Sequence, residues 1–195
     1  MGRRTLGPGE LDLGVATLLY SGVPGWQELG SSLADAVEGD GEALLDASDW
    51  YVGRDPDGSY DNSQEAFWAI GCLDGGLAPD EIDAVAEQAA TASPFFGPST
   101  VYLGIVCTTW PYPAVEVPTV RGAGAPPIVV IGTTGDPATP LRWARALADQ
   151  LESARLVVFE GEGHTAFPSF DGCLDGAVVD YLVDLVPPAD GTTCP

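Results

Sequence analysis

Two short apolar segments near the end of the chain, each stopped by glycine, most constrain what it can fold into. The first covers residues 127–132 (PIVVIG) and the second covers residues 156–161 (LVVFEG). Both are rich in β-branched residues, which is typical of strands buried on both faces of a parallel sheet. A helical pattern over residues 141–151 separates them. Since parallel strands are joined by a crossover, usually a helix, the sequence predicts a βαβ unit and an α/β fold class.

One residue able to do chemistry follows each predicted strand: Asp136 in the segment GTTGDPATP, and His164 in EGEGHT. Because the carboxyl ends of adjacent parallel strands meet at one edge of a sheet, we expect these two side chains to lie within hydrogen-bonding reach. Asp136 could then hold the Nδ1–H of His164 and leave Nε2 to take a hydroxyl proton. The two residues therefore predict a catalytic acid–base pair.

Each of these residues also has an ordinary structural interpretation. Asp136 in Gly-Asp-Pro suits a turn, with Thr139 as the N-cap and Pro140 as the first position of the following helix. His164, the single histidine of the chain, could be a surface residue. Their order after neighbouring strands favours the catalytic interpretation, since Asp then His is the order in which these residues occur in α/β-hydrolase triads.

The sequence predicts no convincing nucleophile before Asp136. A nucleophile elbow needs small residues around a serine on a tight turn between a strand and a helix. Ser32 in GSSLA is the nearest match, but it lies inside a helical pattern that no strand precedes. Cys72 is the other conceivable nucleophile, and disulfide pairing explains it more simply.

Composition excludes several classes of function. Seven basic residues, all arginine, stand against 29 acidic ones, and the net charge of −22 argues against nucleic-acid and anionic-membrane partners. No apolar run is long enough to span a bilayer. The acidic surface either aids solubility or attracts a cationic substrate such as a peptide amino terminus.

The four cysteines, Cys72, Cys107, Cys173 and Cys194, have no C-x-x-C spacing and only one histidine in the chain, so neither a zinc site nor any other metal or cofactor site is predicted. An even number of scattered cysteines suits two disulfides and an oxidising compartment, with three connectivities open. We favour Cys72–Cys107 and Cys173–Cys194, because each pair closes a loop within one apparent structural unit.

The sequence pattern over residues 10 to about 106 predicts a series of helices. One of them is expected to open at Asp61-Asn62-Ser63, with Gln64 and Glu65 placed for a capping box. A proline-rich connector over residues 111–127 then leads into the first strand. The predicted organisation is a helical cap over residues 1–110 and the closing part of an α/β sheet domain over residues 111–195.

Several of these segments together resemble a known family. They are residues 131–140 (IGTTGDPATP), residues 161–165 (GEGHT), the terminal Cys173 and Cys194, and upstream the segments YDNS, AIGCLD and Cys107 before Trp110-Pro111. This combination resembles the TAP-like carboxy-terminal region of secreted α/β-hydrolases related to tripeptidyl aminopeptidases. The resemblance covers the chain from about residue 5.

The resemblance implies a fold, a reaction and two residue roles. Asp136 would be the triad acid and His164 the triad base of a secreted serine hydrolase that releases short peptides from a free amino terminus, or hydrolyses small esters and amides. The signal peptide, the oxyanion hole and the Gly-x-Ser-x-Gly serine of that family would lie upstream of this sequence. We therefore expect a carboxy-terminal part of the enzyme that lacks the nucleophile and is inactive by itself.

Two other hypotheses about function stay open. The chain could be a non-catalytic secreted module that binds peptides, or a separate chain could supply the serine half of the enzyme.

Overall fold

The protein folds into two compact units. The computed structural model describes residues 4–116, 118–170 and 172–195. One unit contains the chain up to Thr17 together with Gly30–Pro118, and the other contains Leu18–Leu29 together with Thr119–Pro195. The functional division into a cap over residues 1–110 and a hydrolase portion over residues 111–195 stays a prediction.

Helices dominate the first part of the chain, as the sequence predicts. In the residues described before position 110 there are six α-helices: α1 (Pro8–Tyr20), α2 (Gly22–Val37), α3 (Glu42–Tyr51), α4 (Ser63–Gly71), α5 (Ile82–Ala92) and α6 (Phe96–Thr108). A short 3₁₀ turn, Cys72–Asp74, follows α4. None of the described helices is both long and apolar enough to cross a membrane.

The predicted capping box at the start of α4 is wrong. The N-cap residue, Asn62, makes no side-chain capping hydrogen bond. Instead the N–H of Ser63 donates to Oδ1 of Asp61 at 2.8 Å, and Nε2 of Gln64 donates to the carbonyl of Tyr51 at 3.3 Å. An Asx turn one residue upstream thus satisfies an amide at the start of the helix and competes successfully with the capping box.

Both favoured disulfides are present. Cys72 pairs with Cys107 and Cys173 pairs with Cys194, with Cα–Cα separations of 4.9 and 5.6 Å. The first joins the 3₁₀ turn after α4 to α6. The second joins the last helix of the chain to the last strand.

The predicted βαβ unit is confirmed in the second unit. Strand β1 (Ile128–Gly135) pairs in parallel with β2 (Ala154–Glu162), and helix α7 (Leu141–Gln150) connects them. The pairing runs from Ile128 opposite Ala154 to Thr133 opposite Phe159, then shifts register before Gly135. The sequence did not anticipate a third strand, β3 (Thr192–Cys194), which extends the sheet in parallel in the order β1-β2-β3.

Helices cover both faces of this sheet. On one face, helix α8 (Gly172–Asp184) contributes Leu174 and Val178 to a buried cluster with Val157. On the other face, α7 approaches β1 so closely that a Cβ at Gly132 would lie 2.6 Å from Leu141. This two-sided covering explains why the strands read as continuous apolar runs, because alternate residues of one strand face different helices.

We expect substitutions in α8 to separate its core-facing side from its exposed side. Leu174 is fully buried, whereas Leu182 of the same helix is 63% exposed. Leu174→Ala should therefore lower the free energy of unfolding by about 2–5 kcal/mol through lost burial and a residual cavity. Leu182→Ala, the matched control, should change it by no more than about 0.5 kcal/mol. Urea unfolding of the oxidised protein measures both, and equal losses would contradict the assigned packing.

Candidate active site

Asp136 directly follows the last residue of β1, and its carboxylate closes the turn that leads to α7. The N–H groups of Ala138 and Thr139 donate to Oδ1 at 2.8 and 2.7 Å, and the hydroxyl of Thr139 donates to Oδ2 at 2.8 Å. The helix begins at Leu141 with Pro140 as its N-cap, so the expected capping by Thr139 is wrong by one position. Thr139 instead hydrogen-bonds back to Asp136.

These hydrogen bonds keep the carboxyl of Asp136 ionised although its side chain is only 5% exposed. Burial raises the pKa of Asp136, since it disfavours the charged form. Donation from the N–H and hydroxyl of Thr139, from the N–H of Ala138 and from His164 outweighs burial. The pKa therefore lies below the ordinary value for aspartic acid.

His164 lies two residues after the end of β2, on a sharply bent loop. The preceding Gly163 has φ 109° and the following Thr165 has φ 67°. A left-handed conformation is costly for a β-branched residue and persists where the surrounding structure imposes it. The N–H of Gly163 donates to the carbonyl of Gly135 at 3.2 Å, which ties the loop to the residue just before Asp136.

The structure brings Asp136 and His164 together, as their positions after neighbouring strands predict. Nδ1 of His164 lies 3.0 Å from both carboxylate oxygens of Asp136. The hydroxyl oxygen of Thr139 is also near Nδ1, at 3.3 Å. Because an ionised carboxylate has no proton to donate, Nδ1 carries the proton in this pair. In the neutral imidazole, Nε2 is then unprotonated and can accept a proton.

Neither considered nucleophile has the features of an activated one. Ser32 lies inside α2 and is only 3% exposed, whereas an elbow serine is presented on a turn after a strand. Cys72 is held in a disulfide.

In residues 4–116, 118–170 and 172–195, Nε2 of His164 makes no hydrogen bond. The same residues contain no group of three or more His, Cys, Asp or Glu side chains that could hold a metal ion.

Sequence reasoning missed the contacts of Thr139 and Tyr20 with the pair. Thr139 could have been found, since a hydroxyl three residues after an aspartate at a turn commonly bonds back to it. Tyr20, at the end of α1, accepts a hydrogen bond from the N–H of His164 and packs its ring against the imidazole. No local sequence pattern predicts this contact, because it joins residues far apart in the chain.

Comparison with known proteins identifies the family. A family model described as "TAP-like protein" matches residues 93–194. The chain belongs to the TAP-like family. The matched region of this TAP-like chain includes β1, β2, Asp136, His164 and the Cys173–Cys194 disulfide. Its three-stranded parallel sheet with helices on both faces is that of the carboxy-terminal portion of an α/β-hydrolase.

Three relatives of this TAP-like chain have the names of hydrolases. Serine protease Hip1 of Mycobacterium tuberculosis is 37% identical over 176 residues, which is 87% of this chain and 34% of the relative. Carboxylesterase B of Mycobacterium tuberculosis is 39% identical over 203 aligned positions, covering 98% of this chain and 38% of the relative. Tripeptidyl aminopeptidase of Streptomyces lividans is 24% identical, over 87% of this chain and 32% of the relative. The chain thus spans about a third of the length of the curated relatives it matches.

The lowered pKa of Asp136 predicts a specific loss of stability in acid. A carboxyl whose pKa is depressed by folding contributes stability above its unfolded pKa of about 3.9, and this contribution is lost as the pH falls through the folded value. The free energy of unfolding should therefore fall more in the wild type than in Asp136→Asn between about pH 5 and about pH 2.5.

Urea unfolding at the two pH values measures this difference. Asp149→Asn, which removes an exposed carboxylate from α7, controls for the loss of one charge. Between the two pH values, its free energy of unfolding should fall as much as that of the wild type. Equal losses in the wild type and Asp136→Asn would show that the hydrogen bonds to Asp136 do not favour its ionised form.

Proposed function

We propose that Asp136 and His164 are the acid and the base of a Ser-His-Asp triad in a serine hydrolase. One observation carries this proposal: an ionised, largely buried carboxylate holds Nδ1 of the imidazole at 3.0 Å, while Nε2 makes no hydrogen bond within the described residues. In a triad the carboxylate fixes the tautomer and stabilises the imidazolium as it forms. Membership of the TAP-like family supports the same roles.

The proposed reaction is acyl transfer through a covalent intermediate. Nε2 of His164 takes the proton of a serine hydroxyl as the serine oxygen attacks the substrate carbonyl, and the imidazolium returns that proton to the leaving amine or alcohol. Water, deprotonated in the same way, then releases the acid and regenerates the serine. Asp136 stays ionised throughout and offsets the positive charge on the imidazolium.

We propose that the serine and the oxyanion donors come from a polypeptide segment other than those described here. The supporting observations are the burial of Ser32 within α2 and the disulfide at Cys72. A base and an acid alone do not complete acyl transfer, which also needs a nucleophile and donors aimed at the developing oxyanion.

For the substrate, we propose a short peptide with a free amino terminus. The names of two relatives, a serine protease and a tripeptidyl aminopeptidase, support peptide hydrolysis. The net charge of −22 would draw a cationic α-amino group toward the protein. Esters are the second candidate, because the relative aligned over 98% of the chain is named carboxylesterase B.

We also propose that the protein works in an oxidising compartment outside the cytoplasm. All four cysteines are paired, and disulfides of this kind persist where thiols are not kept reduced.

The oxidised chain alone should not hydrolyse substrate by the serine mechanism, because loss of a triad nucleophile typically costs about 10⁶ in kcat. The assay combines tripeptide p-nitroanilide and p-nitrophenyl ester hydrolysis with labelling by a fluorophosphonate, which modifies activated serines. His164→Ala is the control for background. Turnover or labelling that disappears in His164→Ala would contradict the proposed source of the nucleophile. Ser32 would then be the first candidate nucleophile to substitute.

A chimaera tests the roles of the pair directly. Residues 1–195 replace the matching third of serine protease Hip1, to which the chain is 37% identical over 176 residues. We expect the chimaera to hydrolyse peptides, His164→Ala to lower kcat by about 10⁶, and Asp136→Asn to lower it by about 10⁴.

Substrates that differ only at the amino terminus then separate the two candidate activities. A tripeptide p-nitroanilide should react faster with a free than with an acetylated amino terminus, whereas an esterase would favour p-nitrophenyl butyrate. A folded, active chimaera that tolerates His164→Ala would refute the triad assignment.

A further inference from the structure

A close backbone contact joins the loop that bears His164 to the junction between the first two helices. Helix α1 ends at Tyr20 and helix α2 begins at Gly22, so Ser21 is the single residue between them. We call Tyr20, Ser21 and Gly22 the α1–α2 junction. This junction belongs to the same compact unit as the sheet and His164.

Tyr20 contacts His164 through both its backbone and its side chain. The N–H of His164 donates to the carbonyl oxygen of Tyr20 at 2.8 Å. The Tyr20 ring meets the imidazole edge-on, with centroids 5.1 Å apart and an interplanar angle of 82°. This is a favourable arrangement for two aromatic rings. Tyr20 therefore contacts both the main chain and the ring of His164, in addition to the hydrogen bond that Asp136 makes with Nδ1.

Two glycines, one on each side of the contact, make this approach possible. Gly22 has φ 61°, and a Cβ there would lie 2.7 Å from the carbonyl oxygen of Glu162. Gly163 has φ 109°, and a Cβ there would lie 3.1 Å from the carbonyl oxygen of Tyr20. Both residues are in conformations that disfavour side chains, and the atoms that a Cβ would meet belong to the backbone. The contact thus depends on glycine at two positions far apart in the chain.

We propose that the α1–α2 junction is a positioning element for the imidazole of His164, with Tyr20 as a positioning residue. Asp136 fixes the ring at Nδ1 alone, and a single hydrogen-bonded atom leaves the imidazole able to pivot about it. The Tyr20 ring limits that pivot, and the Tyr20 carbonyl fixes the backbone from which the imidazole extends. This inference rests on the proposed role of His164 as the base, since a displacement of about 1 Å at a catalytic group can cost about 100-fold in rate.

The single histidine of the chain allows a test that needs no activity. In the folded wild type, the Nδ1–H proton donated to Asp136 should give one low-field proton resonance that exchanges slowly with water. Tyr20→Leu, which keeps an apolar side chain but removes the aromatic ring, should speed that exchange at least about tenfold. Tyr20→Phe keeps the ring and should exchange at the wild-type rate.

Two further variants test the backbone contact. Gly22→Ala should also speed the exchange at least about tenfold, because its methyl group would force the junction away from Glu162. The matched control is Gly30→Ala in the same helix, where a Cβ would meet nothing within 4 Å, and it should leave the exchange unchanged. Asp136→Asn gives the reference exchange rate for complete loss of the charge-assisted hydrogen bond.

The outcomes distinguish this inference from the proposed function. Wild-type exchange in folded Tyr20→Leu would overturn the positioning role and leave the triad assignment standing. Equal acceleration in Tyr20→Phe and Tyr20→Leu would overturn the role assigned to the ring. Absence of the low-field resonance from the wild type would overturn both proposals. If Gly22→Ala does not fold, the two Tyr20 substitutions, which leave the backbone unchanged, decide the result.

Discussion

The parallel pairing of β1 with β2 is the constraint on which the candidate site depends. In a parallel pair both carboxyl ends lie at the same edge, so residues that follow the two strands meet there even though a whole helix separates them in sequence. The shift in register before Gly135 occurs at this edge, where strand pairing gives way to loops. Asp136 follows one strand at once, and His164 follows the other after a short bend. The pair is thus a consequence of strand direction.

Once the edge is formed, His164 is held from three directions. The side chain of Asp136 holds the imidazole, the carbonyl of Gly135 holds the amide of the preceding Gly163, and the carbonyl of Tyr20 holds the amide of His164 itself. Two consecutive amides therefore donate to two different elements of the fold. These hydrogen bonds to two different elements explain how the loop keeps Thr165, a β-branched residue, in a left-handed conformation.

The sequence predicted what local pattern and strand direction determine. The β1-α7-β2 unit, the Asp136–His164 contact and both disulfides follow from apolar runs, chain order and loop closure. What it missed depends on contacts between distant residues or on competition between nearby ones. Strand β3 has only three residues and is defined by its partner, and the contact of Tyr20 with His164 joins opposite ends of the sequence. At α4 two capping arrangements were possible, and the Asp61 turn formed instead of the capping box.

The same hydrogen bonds support both the turn formed by Asp136 and its proposed role as a triad acid. A carboxylate has two oxygens with about four acceptor positions, enough to close a turn and to hold an imidazole. The amides of Ala138 and Thr139 close the turn, and by favouring the charged form they offset the burial that would otherwise neutralise the group. Because Asp136 is ionised, it can only accept, and this fixes the proton of His164 on Nδ1. The hydrogen bonds that shape the Gly-Asp-Pro turn therefore also set the protonation of His164, which is what the proposed role of Asp136 as a triad acid requires.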